Sequence, residues 1–527
     1  MTGVILDAKT IQTDQSLVTD VCIVGAGAAG ITIARQLADS QLRVSVVESG
    51  GLEFEAETQE LAENQVTDTA YPDLTASRIR QFGGTTNVWH GRCRPFQKFE
   101  MERRDWIPNS GWPISFDDLV PYYKAAAKVC ELPSDDFENI DEFERRVGSS
   151  RLSFEHNIAQ NLLFHYSPPT NFGERYWPEL IGSKNITILL HANVVDIVPS
   201  DDLNKINSVE IKTLAGNRIV LFATIFVLAT GAIENARLLL ISNSRQEAGL
   251  GNAYDLVGRF FMEHPMVEPG IMLPSAPIPE NSLYDERDSS LLVAPTPEMH
   301  AKEEIASFTT FMFPSVYRTI ETIGVKSARS IARDIGDGEF PDNLVEHLQN
   351  IITDLGSTTS YVGMKIGDLF DEESDELTVY WMVASAEMSP DPENRLILMK
   401  SRDQLGVPQV RLSFQLGEID RRTILKGTEI ISRAVGASNL GRVRLDMNRG
   451  KTWEESIIGL RHHHMGTTRM HENPRLGVVN QDCRVHGISN LFIAGGSVFP
   501  TSGSGVPTLT IVALAIRLAE KIEREFK

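Results

Sequence analysis

The chain has 527 residues, with 50 basic and 71 acidic side chains and a formal net charge of −21. That balance argues against a nucleic-acid surface, which needs clustered Lys and Arg. It also argues for a substrate that is not strongly anionic, although a local pocket can override the global field. Apolar residues make up 42% and charged residues 23%, the usage of a soluble globular protein long enough for two or three domain-sized units. No apolar run reaches the length of a bilayer span. The start lacks the basic and apolar regions of a signal peptide, so a cytoplasmic location is expected. Cys22, Cys93, Cys130 and Cys483 form no CxxC pair, and free, buried thiols are expected.

In chain order, the first strong signal is "VCIVGAGAAGITIARQLA", residues 21–38. "VCIV" is a continuous apolar run, as a parallel strand covered on both faces requires. Gly25, Gly27 and Gly30 then form G-x-G-x-x-G, and Ile31, Ala34 and Leu37 recur at helical spacing. "RVSVVE" reads as the next strand and ends on Glu48. The glycines permit a tight turn, backbone approach to a pyrophosphate and helix–strand packing, and Glu48 is placed to accept from ribose hydroxyls. This predicts dinucleotide binding. It does not separate FAD from NAD, and the acid at the strand end disfavours NADP.

Residues 78–96, "RIRQFGGTTNVWHGRCRPF", combine Gly83–Gly84 with Thr85, Thr86, Asn87 and Trp89. A glycine turn with amide-bearing side chains and an aromatic suits a flat ring with hydrogen-bonding edges. A second strand–turn–helix is predicted at 225–242, with Gly231 as the turn, and a third strand and glycine loop at 490–503. The nucleotide domain is therefore expected from separated pieces of chain. Between them, residues 270–455 contain segments such as "LTVYWMVASAEMS" and "QVRLSFQL" that alternate like half-exposed antiparallel strands. "DEESDE", 371–376, reads as a solvated acidic loop. Near the end, "SGSGVPTLT" opens a final helix. Pro507 suits its first turn, which puts Val506 at the cap, where its side chain accepts no hydrogen bond.

Over nearly its whole length the chain resembles the glucose–methanol–choline (GMC) oxidoreductases. The resemblance rests on "VGAGAAGITIARQLA", "FGGTTNVWHG", "ATGAIENARLLL", "GRFFMEHP" and the C-terminal "HHHMGTTRM…GVVNQDCRVHGISNLFIAGGSVFPTSG…PTLTIVALAIRLAE". Its wording is most similar to the bacterial branch that oxidises sugars, glycosides and cyclitols. The resemblance implies an α/β fold: a Rossmann-like FAD-binding domain built from discontinuous segments (1–105, 186–265 and 456–527), and an α+β substrate domain with an antiparallel sheet (106–185 and 266–455). It implies FAD held by Gly25, Gly27, Ala28, Ala29, Gly30, Glu48, Ser49, Gly83, Gly84, Thr85, Asn87, Val88, Trp89, Val194, Thr230, Gly231, Gly495, Gly496, Pro507 and Thr508.

In some relatives a histidine of the GGTT-like loop carries a covalent flavin bond. The matching position here is Val88, so FAD is expected to be non-covalent. The implied reaction is oxidation of a hydroxyl group on a small molecule, a polyol-type substrate, with a base taking the proton as hydride leaves for flavin. Oxygen, a quinone or a protein then serves as acceptor. The family's catalytic histidine lies three residues before the glycine of the Gly-Thr pair, which is His463. Neutral imidazole is suited to take a proton near neutral pH. If the stretch is extended, His462 and His464 face away, and three adjacent residues converge poorly on a metal ion. Arg469 is expected to pair with an internal carboxylate and His264 to be structural. Val506 occupies the position where the family usually has Asn or His as the base's partner. That departure raises an alternative: lyase or decarboxylation chemistry.

Overall fold

The computed structural model describes residues 4–63, 65–66, 71, 74–155, 157–279, 281–284, 288–316, 327, 330–331, 344–353, 378–445 and 457–526. The acidic stretch 371–376 lies outside them.

Among the described residues, four sheets organise the chain. Val21–Val24, the predicted first strand, lies inside a six-stranded parallel sheet. In spatial order its strands are Val4–Asp7, Ile186–Leu190, Val44–Val47, Val21–Val24, Ile225–Leu228 and Leu491–Ile493. Two of its four inner strands read VCIV and IFVL with every residue buried, because packed elements cover both faces and leave no polar side to alternate with. The Ala28–Gln36 and Thr508–Phe526 helices pack on one another. Phe116–Val129 packs against the latter. A four-stranded sheet (15–18, 193–199, 206–212 and 218–222) flanks this core.

The second large sheet is antiparallel and has eight strands. Its main path runs 441–445, 265–274, 378–386, 308–316, 289–295, 159–166 and 92–93, and 457–460 pairs with 265–274. Its strands come from widely separated parts of the sequence. Neighbouring residues point to opposite faces. Met312, Tyr380 and Met382 pack with Ile424 and Ile431 of the Glu418–Ala437 helix, whereas Phe311 and Val383 form a separate cluster with Leu162, Phe164 and Leu292 on the other face. The 378–386 strand is therefore almost wholly buried, not half-exposed as its sequence predicts: each face carries its own apolar layer. Strand 408–413 is antiparallel to 395–402 in a three-stranded sheet.

All four cysteines are free and buried. Among the described residues no helix is long and apolar enough to cross a membrane.

Candidate active site

Parallel strands all end at one edge of their sheet, and the loops leaving that edge make its binding crevice. Here three adjacent strands, ending at Val24, Leu228 and Ile493, deliver three glycine loops side by side. At Gly30 an added Cβ would stand 1.9 Å from the Gly25 carbonyl oxygen; this close approach seats the helix on its strand. Gly27 does the opposite. A Cβ there meets nothing within 4 Å, so the first turn of the Ala28–Gln36 helix opens onto free space, and no side chain caps it. Gly231 likewise faces open space, with φ +82°. Gly84 closes on Gly27, where its Cβ would be 2.9 Å from the Gly27 Cα.

Glu48 is buried at the end of its strand. Its carboxylate accepts from the N–H groups of Ala26 (2.8 Å) and Gly50 (3.0 Å) and from the Ser49 hydroxyl (2.9 Å). Burial raises its pKa. In the 83–89 loop, Thr86 donates to the Gly83 carbonyl at 2.6 Å, and the Asn87 amide donates to the Phe82 carbonyl at 3.1 Å. The Asn87 Oδ1 is buried without a partner. Thr85 and Val88 are exposed. Trp89 donates to the Thr170 carbonyl at 2.9 Å and packs edge-on against Phe172. Val194 lies in the four-stranded sheet, opposite Ile211.

Thr230 donates from both its N–H and hydroxyl to Asn235 Oδ1, and the Asn235 amide reaches the Ala494 carbonyl (3.2 Å) and Ser497 hydroxyl (3.0 Å). Asn235 thus ties the Gly231 loop to the Gly495–Gly496 loop. The open cradle at Gly27 and Gly231, the uncapped helix start and the unpartnered Asn87 oxygen fit a dinucleotide cofactor with an amide-bearing ring.

The histidine stretch crosses the third glycine loop. The Gly466 N–H donates to the Gly496 carbonyl (3.1 Å), and the Thr468 N–H to the Ser497 carbonyl (2.9 Å). Thr467 donates to the Ala232 carbonyl at 2.6 Å. Met465 and Met262 exchange backbone hydrogen bonds in antiparallel fashion, which sets residues 263–264 against 462–463. Glu263, fully buried, accepts from the N–H groups of His462 (2.8 Å) and His463. Burial pushes its pKa up to about 8.

His264 is not a bystander. Its Nδ1 lies 2.8 Å from His463 Nδ1, and its Nε2 lies 2.8 Å from the Gly503 carbonyl and 3.2 Å from that of Ser502. A carbonyl only accepts, so His264 Nε2 carries the proton. Burial, with Arg461, lowers the His264 pKa to about 4, so the ring is neutral and its Nδ1 accepts from His463 Nδ1–H. The His463 Nε2 is left with the lone pair. Burial, then His264 and Arg461, hold the His463 pKa well below that of free imidazole. The carbonyls that orient His264 are themselves clamped. Glu100 accepts from the Ser504 N–H (3.0 Å) and, through its carbonyl, from the Thr501 hydroxyl (2.9 Å).

Four sequence expectations change. His462 has φ +59°, so simple alternation fails, and His464 packs against the ring of Phe261. Arg469 has no carboxylate partner among the described residues: it donates to the Asn109 carbonyl (2.6 Å) and lies over the Phe260 ring at 4.5 Å. Burial lowers its pKa to about 10. Val506 is not the helix cap. The Pro507 carbonyl accepts from Ile511 N–H (2.9 Å), and the helix begins at Thr508; proline is suited to this place because it has no N–H to leave unpaired. His264, Glu263 and Asn235 were missed as site residues. Their signal was a charged or amide side chain placed inside apolar segments, at "FFMEHP" and "AIENARLLL".

The C-terminal model of the GMC oxidoreductases matches residues 390–515. The chain is 25% identical to the fructose dehydrogenase large subunit of Gluconobacter japonicus, over 98% of this chain and 99% of that protein. It is 24% identical to the 2-methyl-1,2-propanediol dehydrogenase of Mycolicibacterium austroafricanum, over 96% of each. The fold matches that of pyridoxine 4-oxidase from Mesorbium loti with a TM-score of 0.56 and 16% identity, over 95% of this chain and 98% of that one. With its glycine-lined crevice and a C-terminal region that matches the GMC oxidoreductase model, the chain is similar to the GMC oxidoreductases and is an FAD-dependent oxidoreductase.

Proposed function

We propose that the protein oxidises a hydroxyl group of a sugar, glycoside or other polyol-type substrate, with His463 Nε2 as the base. The observation that carries this reading is the histidine pair, whose hydrogen bonds leave the His463 Nε2 lone pair free. Bound FAD supplies the two-electron acceptor for the hydride leaving the carbinol carbon. Its holders are the crevice residues Gly25, Gly27, Ala28, Ala29, Gly30, Glu48, Ser49, Thr230, Gly231, Gly495 and Gly496, with Gly83, Gly84, Thr85, Asn87, Val88, Trp89, Val194, Pro507 and Thr508 around it. Non-covalent attachment follows from Val88, which has no nucleophile.

His463 takes the hydroxyl proton at Nε2 as the alkoxide character develops. The protonated ring keeps its Nδ1–H on His264, and His264 is held in turn by the Ser502 and Gly503 carbonyls. A base fixed in one tautomer by a second ring needs no reorientation during proton transfer. The relatives' names support the substrate class: fructose and a propanediol are both hydroxylated. The division into discontinuous FAD-binding and substrate-binding segments given above belongs to the same proposal. Lyase or decarboxylase chemistry has no such support among the relatives.

The test is anaerobic mixing of the holoenzyme with sugars, glycosides and polyols. Flavin bleaching is expected in the parent protein. In His463→Asn it is expected to slow by about 10²–10⁴-fold, with FAD still bound. A variant that bleaches at the parent rate would remove His463 from the reaction. Turnover without net flavin reduction would remove the oxidation itself.

A further inference from the structure

Arg461 stands two residues before His463, and Arg92 lies on the edge strand Arg92–Cys93 of the antiparallel sheet. Both guanidinium carbons lie 4.6 Å from the centroid of one ring, that of Phe311. Arg92 is also 5.6 Å from the Tyr166 ring. Phe311 belongs to the sheet face turned away from the Glu418–Ala437 helix. Trp381 and Phe313 share that face, and Trp381 is 43% exposed. The sheet thus offers an aromatic floor beside the histidine pair, with two cations set on it.

Among the described residues neither cation is neutralised. Among the described residues, neither Arg92 nor Arg461 has a carboxylate within ion-pair distance or donates a hydrogen bond, and the Arg461 Nε is buried without a partner. Other arginines of this chain lie against carboxylates: Arg104 on Glu387, Arg78 and Arg80 on Glu234, Arg237 on Asp403. The carboxylate whose field reaches Arg461 is Glu263, and its oxygens already accept backbone N–H groups of His264, His462 and His463. Burial, then the neighbouring Arg92, lowers the Arg461 pKa to about 9, still a cation at neutral pH. A partly buried, unpaired guanidinium pair is costly unless something anionic completes it, and its planar fork matches an oxyanion. Stacking on Phe311 compensates only part of that cost, since cation–π contacts contribute about 0.5–2 kcal/mol.

We propose that Arg92 and Arg461, on the ring of Phe311 beside His463, form a subsite for an oxyanion carried by the hydroxylated substrate, a carboxylate or a phosphate. This rests on the oxidation reading above and narrows it to hydroxy acids, sugar acids or sugar phosphates. It also reverses, locally, what the chain's net charge of −21 implies.

The experiment uses the FAD-loaded protein and matched pairs: glycerol against glycerate, glucitol against gluconate, and glucose against glucuronate and glucose 6-phosphate. Anaerobic flavin reduction is followed against concentration. The expected result is half-saturation at least about tenfold lower for the anionic member of a pair, and a smaller difference at high salt. In Arg461→Gln and Arg92→Gln this anionic preference is expected to collapse toward one, with Arg461→Lys retaining part of it. The carboxylate and phosphate arms identify which oxyanion is accepted. Equal half-saturation within pairs, or a preference that survives both variants, overturns the subsite and leaves the oxidation reading standing. If no compound reduces the flavin, the oxidation reading falls. The subsite is then decided by tryptophan fluorescence titration with glucuronate and glucose 6-phosphate: binding lost in Arg461→Gln supports it, and no binding overturns it.

Discussion

At the scale of single residues, the site is a relay of directional hydrogen bonds. Two peptide carbonyls fix the proton on His264, His264 fixes it on His463 Nδ1, and the lone pair of His463 Nε2 is what remains. Because His463 is held well below the ordinary imidazole pKa by burial and by its neighbours, it stays neutral as pH falls through about 6.5. Substrate-dependent flavin reduction should therefore stay flat from about pH 8 down past the free-imidazole value. A stopped-flow pH profile checks this, and an acid limb near about 6.5 would contradict it. Val506→Asn is a second residue-scale test. With Pro507 as the cap, the change should leave thermal stability within about 0.5 kcal/mol. If the added amide reaches the substrate oxygen, flavin reduction by alcohols becomes faster; a slower reaction would mean that the valine shapes the pocket.

At the scale of elements, the strand–glycine–helix unit separates two uses of glycine. Gly30 is required by the fold, because its Cβ would overlap the Gly25 backbone. Gly27 is not, because its Cβ meets no protein atom. Gly27→Ala should therefore keep the melting temperature of the FAD-free protein but weaken FAD, by about tenfold or more if the methyl lies where pyrophosphate approaches. Gly30→Ala should cost about 3 kcal/mol or more, since neither backbone can yield cheaply. Differential scanning fluorimetry and FAD titration on both variants measure the contrast. The buried Arg104–Glu387 pair, with two contacts of 2.6 Å, joins the segment after the 98–101 helix to the end of the 378–386 strand. Glu387→Gln should destabilise by about 3–5 kcal/mol, because it leaves a buried guanidinium with no counter-charge.

For the whole molecule, buried histidines govern acid stability. Burial lowers His264 and His300 to about 4 and His464 to about 3. In the unfolded chain each binds a proton near about 6.5. The folded state resists those protons, so stability is complete above about 6.5 and is lost as pH falls toward about 4, by about 1.4 kcal/mol per pH unit for each ring. Glu263, raised to about 8, has the opposite sign: its contribution is full below about 4.5 and disappears as pH rises through about 8. Chemical denaturation across pH 4–8 should show the steep acid loss, and replacing His300 with Gln should reduce its slope.

The sequence by itself determined the local units. Apolar runs followed by glycines marked the three parallel strands and their turns, because a doubly covered strand and a tight turn each leave a short-range signature. It also put His463 at a fixed offset from Gly466, a spacing the family resemblance made meaningful. What it did not decide was which side chains meet. His264 and His463 are 199 positions apart, and only the Met262–Met465 pairing sets them ring to ring. Arg92, Phe311 and Arg461 come from three distant strands or strand ends and meet only on one face of the antiparallel sheet. Even the valine before the last helix changed meaning, since a one-residue shift of the first helical hydrogen bond moved the cap to Pro507. Periodicity and turn chemistry act over a few residues, whereas a catalytic geometry is fixed by strand register and by burial across the whole chain.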